Sequence, residues 1–162
     1  MPRTPRPFIT VFLWAAFLAT IAPGCNPADR TLRSDLTLYL QRTADWAPVE
    51  AETARTIDRI MATQFVDEAE VRRQVTADVP RVQAHLERVE AVRPASSELR
   101  EIHRRYVDSW RRLAAGYRDL LHGIDNGDVP SIAAGRTALQ DWRAGIVETA
   151  RALRQLQADV GD

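Results

Sequence analysis

From Leu36 to Val160, apolar side chains return every three or four residues with almost no interruption. That is the α-helical period; a strand would alternate every second residue, and nowhere is such alternation sustained. Leu36, Tyr39, Leu40, Trp46, Ile57 and Ile60 mark a first helix, and Val71, Val75, Val82, Leu86 and Val89 a second. Leu99, Ile102, Tyr106, Trp110, Leu113, Tyr117 and Leu120 mark a third; Ile132, Leu139, Trp142, Ile146, Leu153 and Leu156 a fourth. Pro94-Ala95-Ser96-Ser97 separates the second helix from the third, with serine as the N-cap. Asn126-Gly127-Asp128-Val129-Pro130 ends the third with a left-handed cap and starts the fourth with Asp128 as N-cap and proline in its first turn. The junction at 63–68 carries a softer signal. Pro48 and Pro80 fall inside the first two stripes, which keep their phase across them, so kinked but continuous helices are predicted. The expected spans are about 32–63, 67–93, 97–125 and 129–159. Short connections make neighbours antiparallel, and the predicted fold over 32–162 is an all-α, antiparallel up-down-up-down four-helix bundle.

Small residues add a packing detail. Ser109, Gly116 and Gly123 recur at heptad steps on the third helix, and Ser131, Ala138, Gly145 and Ala152 on the fourth. Glycine inside a helix costs about 1 kcal/mol against alanine, so a row of small residues predicts close approach of these two helices. Trp110, Tyr117 and Trp142 should wrap around that seam. A ligand slot walled by the same aromatics is the alternative.

Ahead of the helical region the chain reads differently. Arg3 and Arg6 precede a 15-residue apolar run, Phe8 to Ala22, which Pro23-Gly24 closes before Cys25. Spanning a bilayer takes roughly 20 apolar residues; a basic start, a shorter apolar run and small residues at its end are the pattern of a cleaved signal peptide, here residues 1–24. Cys25 is the only cysteine. Ala22-Pro23-Gly24-Cys25 resembles the lipobox of bacterial lipoproteins, with Gly24 and Cys25 matching it and Ala22 and Pro23 filling the two places before them. The resemblance implies lipidation of Cys25, a membrane tether over 25–31 and a place on the periplasmic face of the cell envelope. Asn26, where aspartate marks inner-membrane retention in enteric bacteria, points to the outer membrane.

Charge and motifs bound the function. The chain balances 22 basic against 22 acidic side chains, and removing residues 1–24 takes away two arginines. No basic footprint for nucleic acid is left. No Gly-rich phosphate loop, no Gly-x-Ser-x-Gly and no haem-attachment motif occurs, so no enzyme activity and no cofactor is expected. His85 and His103 fall at nearly the same height on facing helices and border the apolar stripe. Two imidazoles could ligate a metal, but the Glu-x-x-His motif of di-iron bundles is missing, and core histidines with hydrogen-bonded partners are the plainer expectation. Asp78, on the face of His85, is either half of an interior ion pair or turned outward beside Pro80. Arg104, Arg105, Arg111 and Arg112 lie opposite the stripe of the third helix, interleaved with Glu101 and Asp108. They form either a solvated face of ion pairs or a contact surface for anionic headgroups or an envelope protein. The expected function is thus a lipid-anchored, non-catalytic binding or scaffolding module; the alternative is a periplasmic sensor or carrier binding a ligand or metal.

Overall fold

A computed structural model describes residues 27–63 and 67–161. The segment 1–24, expected to be a signal peptide, and Cys25 lie outside the described residues. The rest is all-α, in five helices: α1 (Pro27–Thr43), α2 (Ala47–Ala62), α3 (Glu68–Ala91), α4 (Ser97–Asn126) and α5 (Val129–Gly161).

The one helix expected over 32–63 is two. Pro48 does not kink it; it sits in the first turn of α2, where its missing N–H has no partner to lose, and Trp46 occupies the N-cap position. The stripe hid the break because Trp46 is buried on the turn itself. The tether expected over 25–31 is helical from Pro27. α3 runs on through Pro80, as the stripe requires. Gly127 closes α4 in the left-handed conformation with φ 65°.

The N-cap of α4 departs from expectation. Ser96 makes no side-chain cap; its hydroxyl donates to Asp35 of α1 at 2.7 Å. The same carboxylate accepts the Ser96 N–H at 2.8 Å and the Ala95 N–H at 3.1 Å. A side chain 60 residues away thus satisfies the start of α4. Burial pushes Asp35 upward, but the Ser96 and Ala95 donors with Arg100 outweigh it and hold the carboxyl below its ordinary range. Arg33, half a turn earlier, donates to the Val160 carbonyl near the end of α5.

α4 is the spine. Leu99, Trp110, Leu113, Tyr117 and Leu120 on its inner face are fully enclosed, with Val71, Val75, Val82 and Val89 of α3 on one side and Leu139 and Trp142 of α5 on the other. α4 and α5 run antiparallel in near contact. A Cβ added at Gly116 would overlap the Ala138 side chain, and one at Gly145 would overlap Ser109. At Gly123 it would lie 2.7 Å from Ile132 Cγ1. The small-residue seam is therefore real, and Gly135, outside the heptad row, belongs to it: a Cβ there would stand 2.8 Å from the Gly116 carbonyl oxygen.

Candidate functional site

Around Trp46 the buried surface turns polar. Tyr39 reaches in from α1, Glu50 from α2, His85 from α3 and His103, Tyr106 and Trp110 from α4. Trp46 stacks on Tyr106 with ring centres 5.2 Å apart, and Tyr39 meets its edge at 6.2 Å. Tyr106 gives its hydroxyl proton to Glu50 Oε1 at 2.5 Å, while His85 Nε2 lies 3.1 Å from the same hydroxyl. With Tyr106 donating to the carboxylate, the remaining contact has His85 Nε2 as donor. Tyr39 and His103 Nδ1 pair separately at 3.1 Å.

Burial sets the protonation states. It pushes the Glu50 carboxyl up, against the Tyr106 hydrogen bond, and drives His85 down to about 4, with Arg88 adding to the effect and Asp45 opposing it. His103 is lowered by burial as well. Tyr106 and Tyr39 are pushed up, by burial first and by Glu50 second. His85, Tyr106 and Glu50 therefore share one line of hydrogen bonds, with burial favouring the uncharged form of each.

The two histidines sit where their sequence spacing puts them, both against Trp46, at 5.7 Å for His85 and 6.2 Å for His103. Each has a tyrosine partner. Among the described residues no three His, Cys, Asp or Glu side chains come together as a metal-ligand set. Asp78 is an interior ion-pair member: Arg81 lies 2.9 Å away, and Tyr117 donates to it at 2.8 Å.

Glu50 faces outward into a cleft. A cavity of about 200 Å³ lies between α1, α2, α4 and α5, walled by Tyr39, Trp46, Tyr106 and Leu153 with Glu50 inside it. A second hollow of about 300 Å³ continues along α2 and α5 past Ala51, Ala54, Ile146 and Val147, and Glu50 lines this one too. Among the described residues no cation stands within ion-pair distance of its carboxylate; the nearest basic wall residue, Arg143, is turned to Asp58 at 2.5 Å. Glu50 is not among the residues that sequence motifs single out. Its signal was available: it lies four residues after Trp46 and seven before Ile57, on the apolar stripe itself.

The four arginines singled out from sequence are all exposed on α4 and divide between two grooves. Arg104 pairs with Glu101 and Asp108, Arg105 with Glu101 and Arg111 with Glu90. Arg104 and Arg105 hold the shared Glu101 carboxyl down to about 2. Arg105 and Arg112 line a groove of about 480 Å³ with Asp141 and Glu148 across it. Arg104 and Arg111 line another, of about 440 Å³, with Arg93, Arg100 and the edge of His103. Arg93 bonds to the backbone carbonyls of Glu90 and Val92 at the end of α3, and Arg100 to that of Ala95 in the α3–α4 turn. Neither has a carboxylate within ion-pair distance among the described residues.

No described helix is long and apolar enough to cross a membrane. Compared with protein-family models, curated proteins and solved structures, the chain matches none.

Proposed function

We propose that this chain is a lipid-anchored protein of the bacterial cell envelope, exported by residues 1–24 and acylated at Cys25, and that its helices serve as a non-catalytic binding module. In this reading α2 to α5 form an up-down-up-down bundle. Opposed contacts support it: Glu52 with Arg81 for α2 and α3, Arg72 with Asp125 for α3 and α4, and Asp58 with Arg143 for α2 and α5. α1 then joins the bundle to the anchor on the periplasmic face, in the outer membrane given Asn26.

The observation that carries the proposal is the lone Cys25 at the end of a basic, apolar, small-residue leader, two residues ahead of α1. The clasp at Asp35 adds to it. The eight helical steps from Pro27 to Asp35 cover about 12 Å, so a lipid on Cys25 would hold the α3–α4 turn and the Arg93–Arg100 groove close to the bilayer. Arginine presents a planar fork suited to phosphate, and the partner class is an anionic headgroup.

Detergent phase partitioning tests the anchor: wild-type protein should enter the detergent phase and Cys25→Ser should not. Wild type confined to the aqueous phase refutes the proposal. For the groove, Arg93→Gln with Arg100→Gln should weaken sedimentation of the Cys25→Ser chain with phosphatidylglycerol vesicles and leave its helical circular dichroism unchanged. The carrier reading draws support from a different place, the Glu50 cleft, and does not compete for the same residues.

A further inference from the structure

We propose that the cleft between α1–α2 and α5 binds a small organic ammonium ion, with its charged head against Glu50 and its apolar part along Ala51, Ala54 and Val147. The inference stands apart from lipid anchoring and uses none of the arginines.

A carboxylate drawn out of water carries a desolvation penalty that only a partner or protonation removes. Glu50 has one neutral hydrogen bond, from Tyr106, and no ion-pair partner among the described residues. Asp78, the one fully buried acid among the described residues, is met by Arg81. The missing counter-charge has a defined place, because Glu50 lines both hollows and thus stands at their junction. On one side of it are aromatic edges and Leu153; on the other are the alanines of α2 and Val147, an aliphatic residue half exposed to solvent.

A metal ion fits this chemistry poorly, since a hard cation needs several oxygen ligands and Glu50 is the only carboxylate lining either hollow. A guanidinium or ammonium ion from solvent would satisfy the charge but leave the apolar walls wet. An alkylammonium ion satisfies both. The head takes the electrostatic contact, and the carbon chain removes alanine and valine surface from water.

The probe is choline, set against 3,3-dimethylbutan-1-ol, its uncharged carbon isostere. Binding is read from the Trp46 indole resonance of the full-length chain in non-ionic detergent. Choline should shift that resonance saturably, and the isostere should bind at least tenfold more weakly. Replacing choline by butyltrimethylammonium and longer homologues should tighten binding roughly threefold per methylene. Glu50→Gln should abolish the choline shift while keeping the helical circular dichroism. If Glu50→Gln does not fold, Ala51→Arg, on the exposed side of α2, supplies an internal competitor and should block choline instead. A monomeric short-chain phosphatidylcholine distinguishes sources: tighter binding than choline assigns the head to a lipid, equal binding to a free amine. Equal affinity for choline and its isostere, or unchanged choline binding in folded Glu50→Gln and Ala51→Arg, overturns the proposal.

Discussion

The two long sides of α5 are built on opposite principles. Toward α4 it meets a seam made from missing side chains: Gly116 against Ala138, Gly145 against Ser109, and Gly135 against Leu120. Toward α1 and α2 it meets large aromatics with polar tips, and the fit leaves about 200 Å³ unfilled beside Glu50. On the first side, at Gly116, Gly123 and Gly135, backbones approach until nothing else fits, so dispersion contacts are dense there; only toward Ser109 and Gly145 does the seam open into the groove of Arg105 and Arg112. On the second, Trp46, Tyr106 and Tyr39 are held by ring stacking and hydrogen bonds that need particular geometry and protonation. One side of the helix supplies rigidity, the other a place where chemistry can vary with solution conditions.

Overpacking the seam should have the largest effect. Gly116→Leu or Gly135→Leu should lower stability by about 3 kcal/mol or more, read from denaturant melts, whereas leucine at exposed Ala134 should be nearly neutral. Equal effects at the three positions would erase the distinction between the two sides.

Acid should act on the other side. His85 in the folded chain is held to about 4, while an unfolded histidine titrates near 6.5. Between those values the unfolded state takes up a proton that the native state refuses, so this contribution to stability is present above pH 6.5 and is lost as pH falls toward 4. The loss attributable to His85 should be about 2 kcal/mol, seen as the difference in pH slope between wild type and His85→Gln. Gly116→Leu should leave that slope unchanged.

Glu50 should show the reverse sign. Its carboxyl is raised, so the native state holds a proton longer than the unfolded chain, and Glu50 disfavours folding increasingly as pH rises through that range. Glu50→Gln should therefore stabilise the unliganded protein by about 1 kcal/mol at pH 8, with little change at pH 4. A loss of stability at pH 8 would mean that the carboxylate is already well compensated.

The smallest effect should come from the outer face of α4. Exposed pairs contribute little, so Arg104→Gln with Arg105→Gln should leave the melting temperature unchanged within error. A marked drop would place these arginines among the determinants of folding rather than on a solvated surface.

How much of this was legible depended on whether a feature repeats. The helices and the α4–α5 seam follow from periods of three to four and seven residues, and Gly116 and Gly145 were found that way. Gly135 escaped because it lies four residues after Ser131, off the heptad row, and only the actual crossing places it on Leu120. The break after Thr43 escaped because a stripe that keeps its phase looks the same whether the helix continues or restarts at Pro48. Glu50 escaped for a third reason. Its place on the apolar stripe is legible, but its enclosure depends on which ring lies above it, a fact set by four helices at once. The division of the arginines is hidden for a similar reason: Arg104 and Arg105 are neighbours in sequence but line different grooves.

The Asp35 clasp has a mechanical side. A pull on the N-terminal end of α1 meets the Arg33–Val160 contact and the Asp35 carboxylate before it reaches Tyr39 and Trp46. Those two contacts tie α1 to the α3–α4 turn and to the end of α5. Tension entering through one helix is thereby divided among three segments of chain, and the aromatic cleft lies behind that joint, sheltered from the load.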